Sequence, residues 1–211
     1  MRRALAMFML VFLGACASLS QEECLLGDWR AVGFEDGTQG QPPTRIAAHR
    51  DACARHGVSP NLDLWRAGYE EGLPLYCTRA NGFRVGATGA TYHGVCNGPG
   101  SGDFLKAMSD GGILYALQED RDHALSDLSS VDDEIDDLRD RREAAREDAQ
   151  RPDVPDEERK RILGEIEEMS EDIGRLTRER DDTEYALGRI EADLRAAESQ
   201  LRLVYPEWRG Y

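Results

Sequence analysis

The 211 residues carry 41 Asp and Glu against 26 Lys and Arg, a formal charge of -15 at pH 7. Such a surplus of negative charge repels phosphate backbones and anionic lipid faces, so nucleic acid is not expected as a partner. The surplus is unevenly spread: residues 1 to 112 hold 11 acids and 10 bases, residues 113 to 205 hold 29 and 15, and 17 of the 21 glycines precede Ile113.

Arg2 and Arg3 are followed by an apolar run from Ala4 to Leu13 and then by Gly14, Ala15 and Cys16. The run is too short for a permanent membrane span and predicts a signal peptide over 1–15. Leu13-Gly14-Ala15-Cys16 also resembles a lipobox, in which a diacylglycerol is attached to the cysteine before cleavage ahead of it. Cys16 is therefore the expected lipidated N-terminus, taking up palmitate, with 16–23 as a tether. Two or three acyl chains would hold the protein stably on a membrane. In such lipoproteins an Asp directly after the cysteine favours the inner membrane. Ala17 stands there instead, so an outer-membrane lipoprotein facing the periplasm or the cell surface is expected. The alternative is a soluble periplasmic protein cut near Ala17. With Cys16 set aside for lipid, Cys24, Cys53, Cys77 and Cys96 remain, an even set that can form two disulfides in an oxidising compartment.

Residues 24–112 are expected to form a small, Gly-rich, disulfide-stapled helical domain. Trp29-Arg30-Ala31-Val32-Gly33-Phe34-Glu35-Asp36-Gly37 is echoed by Trp65-Arg66-Ala67-Gly68-Tyr69-Glu70-Glu71-Gly72, a short internal repeat whose glycines would form smooth stripes on helices. Pro42 and Pro43 can start a second helix that Gly57 ends, and Pro60-Asn61 a third running to about Tyr76. In three short antiparallel helices, Cys24 at the start of the first lies beside Cys53 at the end of the second. Cys53 and Cys77 would stand roughly 20 Å or more apart, beyond disulfide reach. Geometry thus favours Cys24 with Cys53 and Cys77 with Cys96, the latter closing a Gly-rich loop, although four cysteines admit three connectivities.

Chemistry is sparse in this half. His49, Cys53 and His56 share a helix face, but an oxidised Cys53 removes the strongest zinc ligand and leaves the histidines to cap or solvate a helix end. Gly82 to Gly89 is glycine-rich yet lacks the Lys-Ser/Thr ending of a phosphate loop. Glu35, Asp36, Glu70 and Glu71 make a poor calcium motif and fit exposed helix ends. No catalytic residue, metal or cofactor is expected.

Asp28-Trp29, Gly33, Asp36-Gly37, Gly40, His49, Cys53, Gly57, Gly68, Gly72-Leu73, Tyr76-Cys77, Gly82, Gly86, Gly89, Tyr92, Gly94-Val95-Cys96 and Phe104 together resemble the bacterial family catalogued as domain of unknown function twenty-seven ninety-nine. The resemblance covers about Cys24 to Gly112 and the leader, with Trp65 standing where the pattern has Tyr. It implies an envelope lipoprotein without an assigned activity and supplies no catalytic residues.

Residues 113–205 show a heptad seam. Leu117, Arg121, Ala124, Leu128, Val131, Ile135, Leu138, Arg142, Ala145 and Ala149 alternate spacings of four and three. Arg151-Pro152-Asp153-Val154-Pro155 interrupts the helix, and the pattern resumes from Ile162 through Ile173, Leu176, Arg180, Thr183, Leu187, Ile190, Leu194 and Leu201 to Val204. An antiparallel coiled-coil hairpin follows, about 45 residues per arm and on the order of 65 Å long. Folding there sets Arg121 near Leu187, Arg180 near Leu128 and Ala124 opposite Thr183, a soft layer that can fix register. The tail 206–211 would be returned towards the globular domain. The fold class is thus mainly α, and the expected function is a non-catalytic protein-binding or spacer protein acting through the coiled-coil arm. The alternatives are a dimerisation element in the arm and a small-ligand, metal-binding or catalytic module in 24–112.

Overall fold

The computed structural model describes residues 18 to 208, which form helices and no strand. The leader, Cys16 and Ala17, and the last residues of the tail, Arg209 to Tyr211, lie outside the described residues. The elements are α1 (Gln21–Leu26), α2 (Trp29–Thr38), α3 (Arg45–Ala54), α4 (Leu62–Tyr76), α5 (Arg79–Ala87), α6 (Ser101–Gln150) and α7 (Asp156–Val204). They pack as two units. The first comprises the described residues through Thr78 together with Thr91–Gly102, the second Arg79–Ala90 together with Asp103 onward.

In the first unit α1 opens with a capping box: Ser20 Oγ accepts from the Glu23 amide and Glu23 Oε2 accepts from the Ser20 amide. The helix then stops at Gly27, which adopts a left-handed φ of 65°. Cys24 therefore sits on a helix of its own and not at the start of the helix that carries Trp29. It is fully buried and bonded to Cys53 on α3. Asp28 caps α2 by accepting from the Ala31 amide, and Asn61 caps α4 by accepting from that of Leu64.

The echoed segments prove to be the two partners of one helix pair. Helices α2 and α4 run parallel with their backbones in contact, because a Cβ on Gly33 would stand 1.9 Å from the Trp65 carbonyl oxygen and one on Gly68 1.9 Å from that of Arg30. One turn on, Gly37 meets the Tyr69 carbonyl and Gly72 that of Phe34 at 2.4 and 2.3 Å. No side chain larger than hydrogen fits at any of the four, which outweighs the roughly 1 kcal/mol that each glycine costs a helix relative to alanine.

The second unit contains a further copy of that pair. Segment 79–87, expected as part of a Gly-rich loop, is a helix, and α6 begins at Ser101, inside the stretch assigned above to the stapled domain. Gly82 meets the Phe104 carbonyl at 2.3 Å, Gly86 that of Met108 at 1.9 Å and Gly111 that of Phe83 at 2.2 Å. Residue for residue these are the contacts of α2 with α4. Arg30, Ala31, Gly33, Phe34, Gly37 and Gly40 recur as Arg79, Ala80, Gly82, Phe83, Gly86 and Gly89, each forty-nine positions on. Trp65, Gly72 and Tyr76 recur as Phe104, Gly111 and Tyr115, thirty-nine positions on. The helix ends match as well. Gly40 and Gly89 adopt φ of 66° and 62°, with Gln41 N–H donating to Asp36 O and Ala90 N–H to Val85 O, and each glycine lies under the ring of its tyrosine, Tyr76 or Tyr115. Glycine at i and i+4 forms a helix here because a second backbone covers it.

Helices α6 and α7 fold back on one another as the hairpin. Arg159 closes the Pro turn by donating to the carbonyls of Arg151 and Val154, both at 3.0 Å. The buried residues of the arms, Ala124, Ile135, Leu138 and Ala149 on α6 and Ile162, Ile173, Leu176 and Leu194 on α7, are all seam positions. Ile135, Leu138, Ile173 and Leu176 form a buried layer midway along the hairpin, with Val131 and Met169 packed against them. Ala124 and Thr183 line one shallow hollow, and Arg180 Nη1 reaches to within 3.9 Å of Asp132 on the opposite arm. The seam ends one residue later than its spacing predicts: Val204 is 43% exposed, while Tyr205 is buried at 1%.

Candidate functional site

The first unit holds a buried polar node that joins three helices and the N-terminal approach. Asp36 on α2 is buried, and its Oδ2 lies 2.8 Å from His49 Nε2 on α3 and accepts from Trp65 Nε1 on α4, also at 2.8 Å. His49 Nδ1 lies 2.9 Å from Ser18 Oγ. A buried carboxyl needs hydrogen-bond partners, and the Trp65 indole and the His49 ring provide them, while the second ring nitrogen is engaged by the serine hydroxyl. A cavity of about 340 Å³ adjoins the node, lined among others by Glu23, Leu26, Val32, Glu35 and Arg45. Beneath it Tyr69 stacks on Trp65 at 4.9 Å and donates its hydroxyl to the Gln41 carbonyl at 2.6 Å. Burial pushes the Tyr69 phenol up to about 12, and the Asp36 charge adds to this.

Two sequence expectations are corrected by this geometry. Asp36 is not an exposed helix end, and His49 does not solvate one, since the imidazole is 2% exposed with both nitrogens engaged. Glu71 pairs with Arg30 across α2 and α4. His49, Cys53 and His56 do not converge: the Cys53 sulfur is bonded to Cys24 and His56 is exposed. Among the described residues no group of three or more His, Cys, Asp or Glu is placed to hold a metal.

The chain Ser18, His49, Asp36 has the residue types of a nucleophile, base and acid. Here Ser18 stands on Nδ1 and Asp36 on Nε2, with Asp36 shared by Trp65, so these contacts tie the residues before α1 to α2, α3 and α4. The second helix pair shows that the node is not required for the fold of such a pair, because Val85 and Phe104 stand where Asp36 and Trp65 do. Both members of the hydrogen bond are apolar there. Asp36→Val alone should therefore cost about 2 kcal/mol, since Trp65 and His49 each lose a buried acceptor. Adding Trp65→Phe should recover part of that loss, and urea unfolding of the two variants measures both.

Cys24 is joined to Cys53 and Cys77 to Cys96, with Cα separations of 5.4 and 5.5 Å. This is the pairing that helix geometry favours. The hairpin offers a different kind of site. Its ion pairs are mostly i,i+3 and i,i+4 contacts along one helix, such as Arg139 with Asp136 and Arg161 with Glu165, and these contribute little each. From Glu119 to Asp140 the chain has ten acids and two bases, so this stretch of α6 presents a strong negative field. Large apolar side chains also face solvent off the seam, Tyr185 at 73% and Leu163 at 53% exposure.

The described residues thus form a mainly helical protein built from a disulfide-stapled helical unit and a unit that carries a long helical hairpin. Residues 28–112 match the family model described as a protein of unknown function (DUF2799), the family that the sequence resembles. The match takes in both helix pairs, from Asp28 through Gly112, and stops where the hairpin leaves the second one. No curated protein and no solved structure matches the chain.

Proposed function

We propose that this is a lipid-anchored envelope protein, held through Cys16 on the outer membrane, that binds a protein partner or keeps a spacing through its hairpin and carries out no catalysis. The observation that carries the reading is the composition of the hairpin: a narrow apolar seam, an acidic surplus far beyond what the seam needs, and exposed Tyr185 and Leu163. A basic protein surface is the complementary partner. The anchor rests on Arg2-Arg3, the apolar run and the Leu13-Gly14-Ala15-Cys16 motif. No helix among the described residues is long and apolar enough to cross a membrane.

The anchor is tested with radiolabelled palmitate, which should enter the wild type and not Cys16→Ala; label retained in the mutant removes it. The role of the arm is tested by shortening it. Removing residues 118–190 and joining Leu117 to Glu191 through a short Gly-containing turn takes away Leu163 and Tyr185 but keeps the base of the hairpin, where Leu114, Leu117, Leu194 and Leu201 pack. The shortened protein should fold and be lipidated but lose its cross-linked partners. If it keeps them all, the binding lies elsewhere and a ligand-binding role for the cavity beside His49 moves ahead.

A further inference from the structure

The duplicated helix pair presents one face twice, covered in the second copy and, among the described residues, exposed in the first, and the covered copy states what the face accepts. In the second unit Phe83 is 2% exposed because Tyr205 stacks on it at a centroid distance of 4.3 Å, with Trp208 edge-on at 5.4 Å. The Tyr205 hydroxyl donates to Asp110 Oδ2 at 2.7 Å. Arg79 lies over the same ring, 4.7 Å from its centroid, and donates to the Val204 carbonyl at 3.0 Å. Leu114 is fully buried beside them, against Leu194 and Tyr205. A phenylalanine, an arginine, a carboxylate and a leucine thus hold the end of a helix that carries a tyrosine.

The same four residue types occupy the equivalent positions of the first unit, where they face solvent. Phe34 corresponds to Phe83 and is 39% exposed; Leu75 corresponds to Leu114 and is 60% exposed. Arg30 corresponds to Arg79 and Glu71 to Asp110, and their side chains, 60% and 48% exposed, pair with each other. We propose that this face of α2 and α4 is a docking surface for the end of an amphipathic helix from another protein, one carrying a tyrosine at its terminus. The ring stacks on Phe34, its hydroxyl donates to Glu71, and Arg30 takes the ring face and a terminal carbonyl, giving complementarity of both shape and charge. The chain's own copy of such an element is already seated on the second pair, so a different protein is the occupant.

The probe is a labelled synthetic peptide with the sequence of residues 194–208, titrated into the full chain by fluorescence anisotropy. Saturable binding is expected, weakened about tenfold or more by Phe34→Ser or Glu71→Lys in the chain and by Tyr205→Ala in the peptide. Glu71→Lys gives up the half-exposed pair with Arg30 and touches no buried group, and circular dichroism verifies that both variants keep their helices. A benzophenone amino acid in place of Phe34 should cross-link to the peptide, which separates this face from exchange at the second pair. The proposal is overturned if the peptide does not saturate or if Phe34→Ser leaves its binding unchanged. It is equally overturned if the peptide fails while the face instead supports Phe34-dependent self-association or adhesion to phosphatidylethanolamine vesicles.

Discussion

Replacing Gly33 by valine is expected to destroy the first helix pair. The new Cβ would lie 1.9 Å from the Trp65 carbonyl oxygen and 2.7 Å from its carbon, and these are backbone atoms that no rotamer change can move. The helices must separate, which breaks the reciprocal contact of Gly68 with Arg30 and disturbs the Trp65 bond to Asp36. A loss of about 4 kcal/mol, above the usual cost of overpacking, is the expected size. Gly188→Ala on α7 is the control: nothing lies within 4 Å of its Cβ, so the change should stabilise by up to about 1 kcal/mol. Denaturant unfolding of the two variants beside the wild type gives opposite signs if the close approach is what requires glycine.

The second large effect is expected at the Cys24–Cys53 bridge. It joins α1 to α3 across a sequence separation of 29 and sits in the core formed with Trp29, Trp65 and Tyr69. Chain-entropy arguments put the contribution of such a cross-link at about 3.5 kcal/mol. The paired variant Cys24→Ser, Cys53→Ser adds two buried hydroxyls to that loss. The first unit should then melt well below the wild type, and α1 should be the earliest segment to exchange its amide hydrogens. Equal protection of α1 in both proteins would show that the capping box and the Ser18 contact suffice without the bridge.

Legibility in the sequence followed the range of the interactions. The hairpin could be read because its signal is periodic and local: leucines, isoleucines and alanines at spacings of three and four, then two prolines. The disulfide pairing could be read because helix length limits which cysteines meet. Helix α5 could not, because Gly82 and Gly86 lower the intrinsic helix propensity and only the backbone of α6 makes them favourable. The larger repeat was masked by its two offsets. Twenty-three residues containing α3, 39 to 61, join the helices of the first pair, against thirteen in the second, 88 to 100, so no single period aligns both halves. The polar node was hidden for another reason. Asp36 looks like any acid of a charged helix until its donors, His49 and Trp65, arrive from 13 and 29 positions away.

The central functional claim is that the hairpin is the surface through which the protein meets its partner. Site-specific photocross-linking in living cells tests it most directly, with a benzophenone amino acid placed in turn at Tyr185 and Leu163, both exposed and off the seam. Discrete adducts with another envelope protein from these positions, lost when Cys16→Ala removes the anchor, are the result predicted. A lipidated, correctly folded protein that yields no adduct from either position would contradict it.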